Sequence, residues 1–566
     1  MNSEFRKPRA EKTPKPELAM GRQPVFKFRL SRFEFGSAFD LRLSDLRWLV
    51  AVLLLAAALV RPSVASAHSG SQNVFYEGNI GPYAARVIIK RPEVVPGLAD
   101  ITIRMLKGEP TEVTVLPLKW NLGKKGAPTP DVAQPVRGEP GLFSAQLWFM
   151  ESGSQAVEVG IKGASGEADV VIPVAIMPTK VGQMSPAMGT ILTLLGGLLV
   201  VGLLGIVRGA VRESVLPAGE PVSRKRIWVA RAAVLFAMVV LGLGLHGGRK
   251  WWDAEADEYF KYRLYKPLEG KFEARVEGGQ RILQVELPDE DLRRRSPIVP
   301  DHGKLMHLVL VSFPDQNVLA HLHPLKLNRR TFVVAVPDLP AGAYVAYAEV
   351  TYETGFSESV TGRVLLPENN STGPASVAGV KVEIDPDDAW QVLADDAGTE
   401  IKDGRRLAEL GDGFVVEWLD SKLVTAGADI SMRFQVRDAA GGAVPTAPYM
   451  GMLGHLFLRS DDGHLFTHLH PAGSFSMAAQ QLFDMRAQGK APSQIKFGAL
   501  EPACQLPTVE ESLAFWNAQK SAGADHSFSF PWKFVDPGDY RVWVQVKVAD
   551  QIRTGAFDVT VRPPSQ

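Results

Sequence analysis

Two stretches hold eight of the 11 histidines, at residues 301–324 and 449–471. The first places His302, then His307 at the head of Leu308-Val309-Leu310-Val311-Ser312, and closes on His321-Leu322-His323-Pro324. The second places His455 at the head of Leu456-Phe457-Leu458-Arg459-Ser460. It continues through Asp461-Asp462-Gly463-His464 and closes on His468-Leu469-His470-Pro471. Neutral imidazole is the commonest metal ligand among side chains, so the chemistry to look for is coordination. It suits zinc, copper, nickel and iron, and a neighbouring thioether favours Cu(I).

Whether the rings can meet depends on the strands that carry them. Successive side chains point to opposite faces of a strand, and directly opposed residues share a face, with Cβ atoms about 4.5–5.5 Å apart. Asp462-Gly463 between apolar runs predicts a hairpin with a two-residue turn. That register sets Asp461 opposite His464, Phe457 opposite His468 and His455 opposite His470. A three-residue connection, Pro314-Asp315-Gln316, sets Val309 opposite His321 and His307 opposite His323. Each ribbon is then predicted to turn three imidazoles to one side, close enough to share an ion at bonds of about 2.0–2.1 Å. His464 is predicted on the same face of the second ribbon, and His302 just ahead of the first. Neither has a counterpart in the other copy. Met306 is expected on the opposite, core-facing side, which leaves Met450 and Met452 as the candidate thioethers. The competing expectation is that the rings are packed and hydrogen-bonded between sheets, with no ion.

The flanking segments predict a mainly β protein of 566 residues with several domains. The expected fold is three immunoglobulin-like antiparallel β-sandwich domains, two transmembrane helices and an N-terminal signal peptide or anchor. Residues 1–46 read as a basic, disordered extension. Residues 47–67 read as the signal peptide or anchor, with a cleavage site at Ala65-Ser66-Ala67. Alternating runs over 74–178 predict the first sandwich. Residues 188–207 and 227–246 are apolar enough to span a bilayer, and the loop 208–226 carries Arg208, Arg212, Arg224, Lys225 and Arg226. The positive-inside rule puts that loop in the cytoplasm and the flanking domains outside, an inner-membrane protein with periplasmic sandwiches. Residues 253–266 predict a surface helix. Residues 269–367 and 377–563 predict the second and third sandwiches, an internal duplication in which each holds one ribbon. An insert at 472–527 is expected to be partly helical around 474–486 and 508–520.

The phrases HLVLVS…HLHP and PYMGMLGH…FTHLHPAG resemble those of periplasmic YtkA-like proteins, a group associated with copper handling and oxidase maturation. The first sandwich is similar in pattern to FixH-like and YtkA-like domains. The resemblance implies a sandwich fold and copper, with His307, His321, His323, His455, His468 and His470 carried over.

A net charge of +0 gives no global attraction to nucleic acid, and a single cysteine, Cys504, excludes a disulfide framework or a cysteine-rich metal site. No Gly-rich phosphate loop, GxSxG or HExxH is present, so no nucleotide or nucleic-acid partner is expected. The expected function is a membrane-embedded protein that binds copper, with zinc as the alternative, for buffering, delivery or sensing, with a metal donor or acceptor protein as partner. Histidine ligation predicts that binding fades as pH falls through about 6.5. One alternative is a metal-dependent oxidase or hydrolase using Asp301, Glu353, Asp461 or His526. The other is a surface interaction protein with structural histidines.

Overall fold

The computed structural model of the protein describes residues 73–217, 219–288, 297–368, 375–393, 400–402, 405–419, 424–489 and 526–564. The expected extension, signal segment and 508–520 helix lie outside them.

The described residues are mainly β, in largely antiparallel sheets that face one another in pairs. In the N-terminal pair, one sheet is built on Tyr83–Lys90 and Gly97–Lys107, the other on Pro110–Lys119, Gly153–Gly163 and Gly166–Ile176. Alternate residues such as Val87, Ile89, Ile101, Ile103, Val157 and Val159 fill the space between them. Period-two burial of β-branched side chains accounts for this pair.

Two long helices follow, Pro186–Glu213 and Arg224–Glu258, each started by a serine. Ser185 Oγ accepts from the Met188 N–H and Ser223 Oγ from the Arg226 N–H. Both are long and apolar enough to cross a membrane, and Leu194 and Leu199 are 70% and 73% exposed. The predicted surface helix at 253–266 is not separate. The second long helix runs unbroken through Glu258 and ends in a π-helical turn, Tyr259–Arg263. At the base of this helical hairpin the Tyr265 N–H donates to the Pro178 carbonyl at 2.8 Å, so the chain returns where it left.

The middle pair of sheets encloses Leu283, Val285, Met306, Leu308, Leu310, Leu322, Phe332 and Val350. The C-terminal pair encloses Trp418, Phe434, Leu456, Leu458, Leu469, Phe530, Val544 and Phe557. The boundary between them falls later than the sequence suggested. Ala389–Val392 pairs with Val318–Leu322 as an edge strand of the middle sheet, and Val377 and Val382 pack on Ile282 and Val333. Segment 375–393 therefore completes the middle sandwich.

The ribbon registers match the alternation argument. Val309 pairs with His321 and Leu308 with Leu322, while Phe457 pairs with His468 and Leu456 with Leu469. The connections are wider than expected. Ser460 N–H donates to Leu465 O, so the second connection is the four residues 461–464. Only Gly463 there takes a positive φ, 75°, whereas the predicted two-residue turn needs two such residues. Asp462 accepts instead from the Ser460 hydroxyl at 2.6 Å and the His464 N–H at 2.9 Å. Widening by one residue on each side leaves every pairing unchanged. The first connection likewise spans 313–317.

Each ribbon is buried on both faces, with Leu308, Leu310, Leu456 and Leu458 facing their own cores. The other faces meet, and Val309, Val311, Leu319, Tyr347, Phe457, Phe466 and Trp543 form a shared cluster between the two sandwiches. Burying each such side chain contributes about 1.5–3 kcal/mol. The histidines lie beside this cluster, on the same two faces.

The N-terminal sandwich joins the assembly through Asn73–Ile80. Phe75 and Ile88 sit in the C-terminal core, and Met452, Ala472, Phe475 and Met477 sit in the N-terminal one. The Glu77 N–H donates to Ala472 O at 2.9 Å and the Ser474 N–H to Phe75 O at 3.1 Å. Helix Met477–Ala487, capped by Ser476, wedges between the sandwiches with Met477 to Phe483 buried.

Candidate metal centre

Seven histidines converge where the two ribbon faces meet: His302, His307, His321, His323, His455, His468 and His470. Six of them are at most 6% exposed, and the His468 side chain is 5% exposed. Two groups each bring three ligand nitrogens within 4.8 Å of one another. The first is His307, His321 and His323, the trio the first ribbon predicts. The second is His302, His455 and His470, in which a residue of the middle sandwich stands where His468 was expected.

Hydrogen bonds to carbonyls fix the tautomers, because a carbonyl can only accept. His302 Nδ1–H donates to Met450 O at 2.8 Å and His470 Nδ1–H to Phe475 O at 2.9 Å. Their Nε2 atoms, 3.2 Å apart, therefore face each other as lone pairs. His307 Nε2–H donates to Asp301 O at 3.1 Å, and His321 Nδ1–H to Gln545 Oε1 at 3.1 Å. Gln545 is oriented in turn by its amide N–H on Thr554 Oγ1. His307 Nδ1 and His321 Nε2 are then two more lone pairs facing at 3.1 Å. His323 Nδ1–H donates to Asp388 at 2.9 Å and His468 Nδ1–H to Glu349 at 2.8 Å.

Buried polar atoms are normally hydrogen-bonded. His323 Nε2, His468 Nε2 and both nitrogens of His455 are buried and have no partner. Two lone pairs at 3.1–3.2 Å repel unless something positive lies between them. Donors on a tetrahedral ion with bonds of about 2.0–2.1 Å sit roughly 3.3 Å apart, so the spacing fits shared coordination. The outer N–H of each anchored ring on a carbonyl or carboxylate is the arrangement that orients metal-ligating histidines.

Burial holds the rings neutral. Desolvation lowers His302 and His307 to about 4 and takes His321, His323, His455, His468 and His470 well below the usual imidazole value. Neutral imidazole is the ligating form. Burial also raises Glu349, and pushes Asp388 up to about 7 although three N–H groups favour its charged form. The Asp301 carboxylate lies 3.8 Å from His302 Nε2 and accepts from the Ala478 N–H at the start of helix Met477–Ala487.

The other candidates lie elsewhere. His464 is exposed in the connection 461–464 and is not among the clustered rings, because the wider turn lifts it off the strand. Met452 packs in the apolar cluster with Phe475 and Met477 rather than among the imidazoles. Met450, in the left-handed region at φ 47°, contributes its carbonyl to His302. Met306 faces the middle core, as alternation predicts. The Asp461 carboxylate accepts from Gln316, Glu353 offers its carbonyl to Arg486, and His526 is exposed. Sequence reasoning missed Glu349, Asp388 and Gln545, whose pairing with the rings is non-local and leaves no motif.

A cavity of about 180 Å³ adjoins the cluster where all three sheet pairs meet, lined by Asn73, Ala175, Glu349, His307, His468 and His470 among others.

A family profile described as Domain of unknown function (DUF8832) matches residues 408–504, which include the second histidine ribbon. No curated protein matches the chain. Among solved structures, the chain is similar to a tetra-tandem repeat in the extending region of a large adhesion protein. Identity there is 9%, over 83% of this chain and 96% of that one, with a TM-score of 0.13. It is also similar to the ICAM-5 D1–D4 ectodomain fragment, at 9% identity over 85% and 78% of the chains with a TM-score of 0.13. The titin domains Z1Z2 match at 11% identity over 53% and 100%, with a TM-score of 0.11. Overlaps this low carry no argument about function.

Proposed function

We propose that this chain is a membrane-tethered, extracytoplasmic metal-binding protein, with copper as the preferred ion and zinc as the alternative. Three immunoglobulin-like sandwiches would lie outside the inner membrane, with the arginine-rich turn between the two long helices in the cytoplasm. The observation that carries the reading is the set of buried imidazole nitrogens that either face one another as lone pairs or have no partner. His307, His321 and His323 would hold one ion, and His302, His455 and His470 another. The YtkA-like phrases support copper, and the all-imidazole donor set fits copper and zinc alike. Holding and passing an ion needs no bond-making step, so buffering, delivery or sensing is the proposed role, with a donor or acceptor protein as partner. The cavity beside His307 and His468 favours a second reading, a metal-dependent oxidase or hydrolase, since it would admit a small molecule to the ion.

The test is metal analysis of the full chain, purified in detergent, loaded with Cu(I) or Zn(II) and dialysed. Retained metal in the wild type, with loss after His321→Gln combined with His455→Gln, is the expected result. A wild-type protein that retains none would establish the histidines as structural.

A further inference from the structure

The expectation from sequence was two separate sites, one on each ribbon. We infer that the two trios are halves of one binuclear centre, filled by two ions at once, with the one free nitrogen of His468 available to a single ion of the pair. This inference rests on the metal-binding reading.

No layer of other side chains separates the trios. Between them, ring centroids lie 5.7 Å apart for His302 and His307, and 6.0 Å apart for His321 and His455. Within them the separations run from 4.7 to 5.4 Å. His468 is 5.6 Å from His321 in one trio, and 5.3 and 4.6 Å from His455 and His470 in the other. Its Nδ1 is held by Glu349, its ring is stacked on Phe457 at 4.5 Å, and its Nε2 is buried without a partner. A single ion in either trio would leave the opposite lone pairs still buried and facing. Each polar group left so keeps its full desolvation penalty. A second ion removes that penalty.

Three carboxylates flank the seven rings, Asp301 at His302, Glu349 at His468 and Asp388 at His323. Their charge offsets part of what the ions bring into this buried site.

His302 belongs to the middle sandwich, and its trio partners to the C-terminal one. Occupancy would therefore clasp the two sandwiches across their interface, and ion binding would stabilise the assembled form.

The test uses the full chain in detergent, titrated anaerobically with Cu(I) against a chromophoric Cu(I) chelator, with metal counted by mass spectrometry after desalting. Two ions per chain are expected, one after His302→Gln, one after His323→Gln, and none after both. His468→Gln should weaken one of the two ions by about tenfold or more and leave the other bound. Unchanged melting of the metal-free variants would show that they fold. Saturation of the wild type at one ion, or two ions retained by His302→Gln, would overturn the binuclear centre while leaving metal binding intact. No bound ion would remove both.

Discussion

At the scale of single residues, one imidazole behaves differently from seven packed together. An exposed histidine gives up its metal as it protonates near pH 6.5. Here burial lowers His302 and His307 to about 4, so protons compete less. Copper should stay bound at pH 5 and leave near pH 4, and a release complete by pH 6, followed by chelator absorbance, would contradict this. The same lowering makes the metal-free protein acid-sensitive. Its folded-state values lie below the unfolded 6.5, so the unfolded chain takes up protons first and stability falls as pH drops from about 6.5 to 4. The penalty approaches roughly 3 kcal/mol for each of His302 and His307. Tryptophan fluorescence on acid titration should show metal-free protein unfolding in this window and loaded protein resisting it.

At the scale of elements, the loop from His470 to Ser476 links ring to sandwich. His470 donates to Phe475 O, and the next residues pair with the first described strand of the N-terminal sandwich. Gly473, at φ 153°, is the tightest point, because a Cβ there would lie 2.0 Å from Phe75 O. Gly473→Ala should cost on the order of 2–3 kcal/mol and loosen His470. A lower melting temperature with weaker Cu(I) retention is expected, and unchanged values of both would refute the coupling.

The ribbons show how much was legible in the sequence. Strict alternation placed Val309 opposite His321 and Phe457 opposite His468, and put Met306 in the core, because period two is a local rule. The turn at Asp462-Gly463 misled in detail but not in parity, so His464 was misplaced while its neighbours were not. His302 was visible only as an extra histidine. Its partners lie 148 and 168 positions away, at Met450 and His470, and no local pattern records such a meeting.

At the scale of the whole molecule, the alternating runs and two apolar stretches announced a β-rich chain with two long helices. What they could not announce is that the sheet pairs share cores. Phe75 and Ile88 look like ordinary residues of the first sandwich, yet they complete the hydrophobic interior of the C-terminal one. A fragment beginning near residue 269 would lack them, along with the strand that braces the loop after His470. The site is therefore a property of the assembled chain rather than of either duplicated half.

The hydrogen bond from Tyr265 to Pro178 makes the helical hairpin a detour, since its two ends rejoin at one spot. Replacing residues 180–263 by a short Gly-Ser bridge should therefore release a water-soluble molecule that keeps its metal stoichiometry without detergent. Aggregation or loss of copper from that shortened molecule would mean the hairpin braces the fold. If it stays soluble and loaded, the bilayer serves this protein only as a mooring.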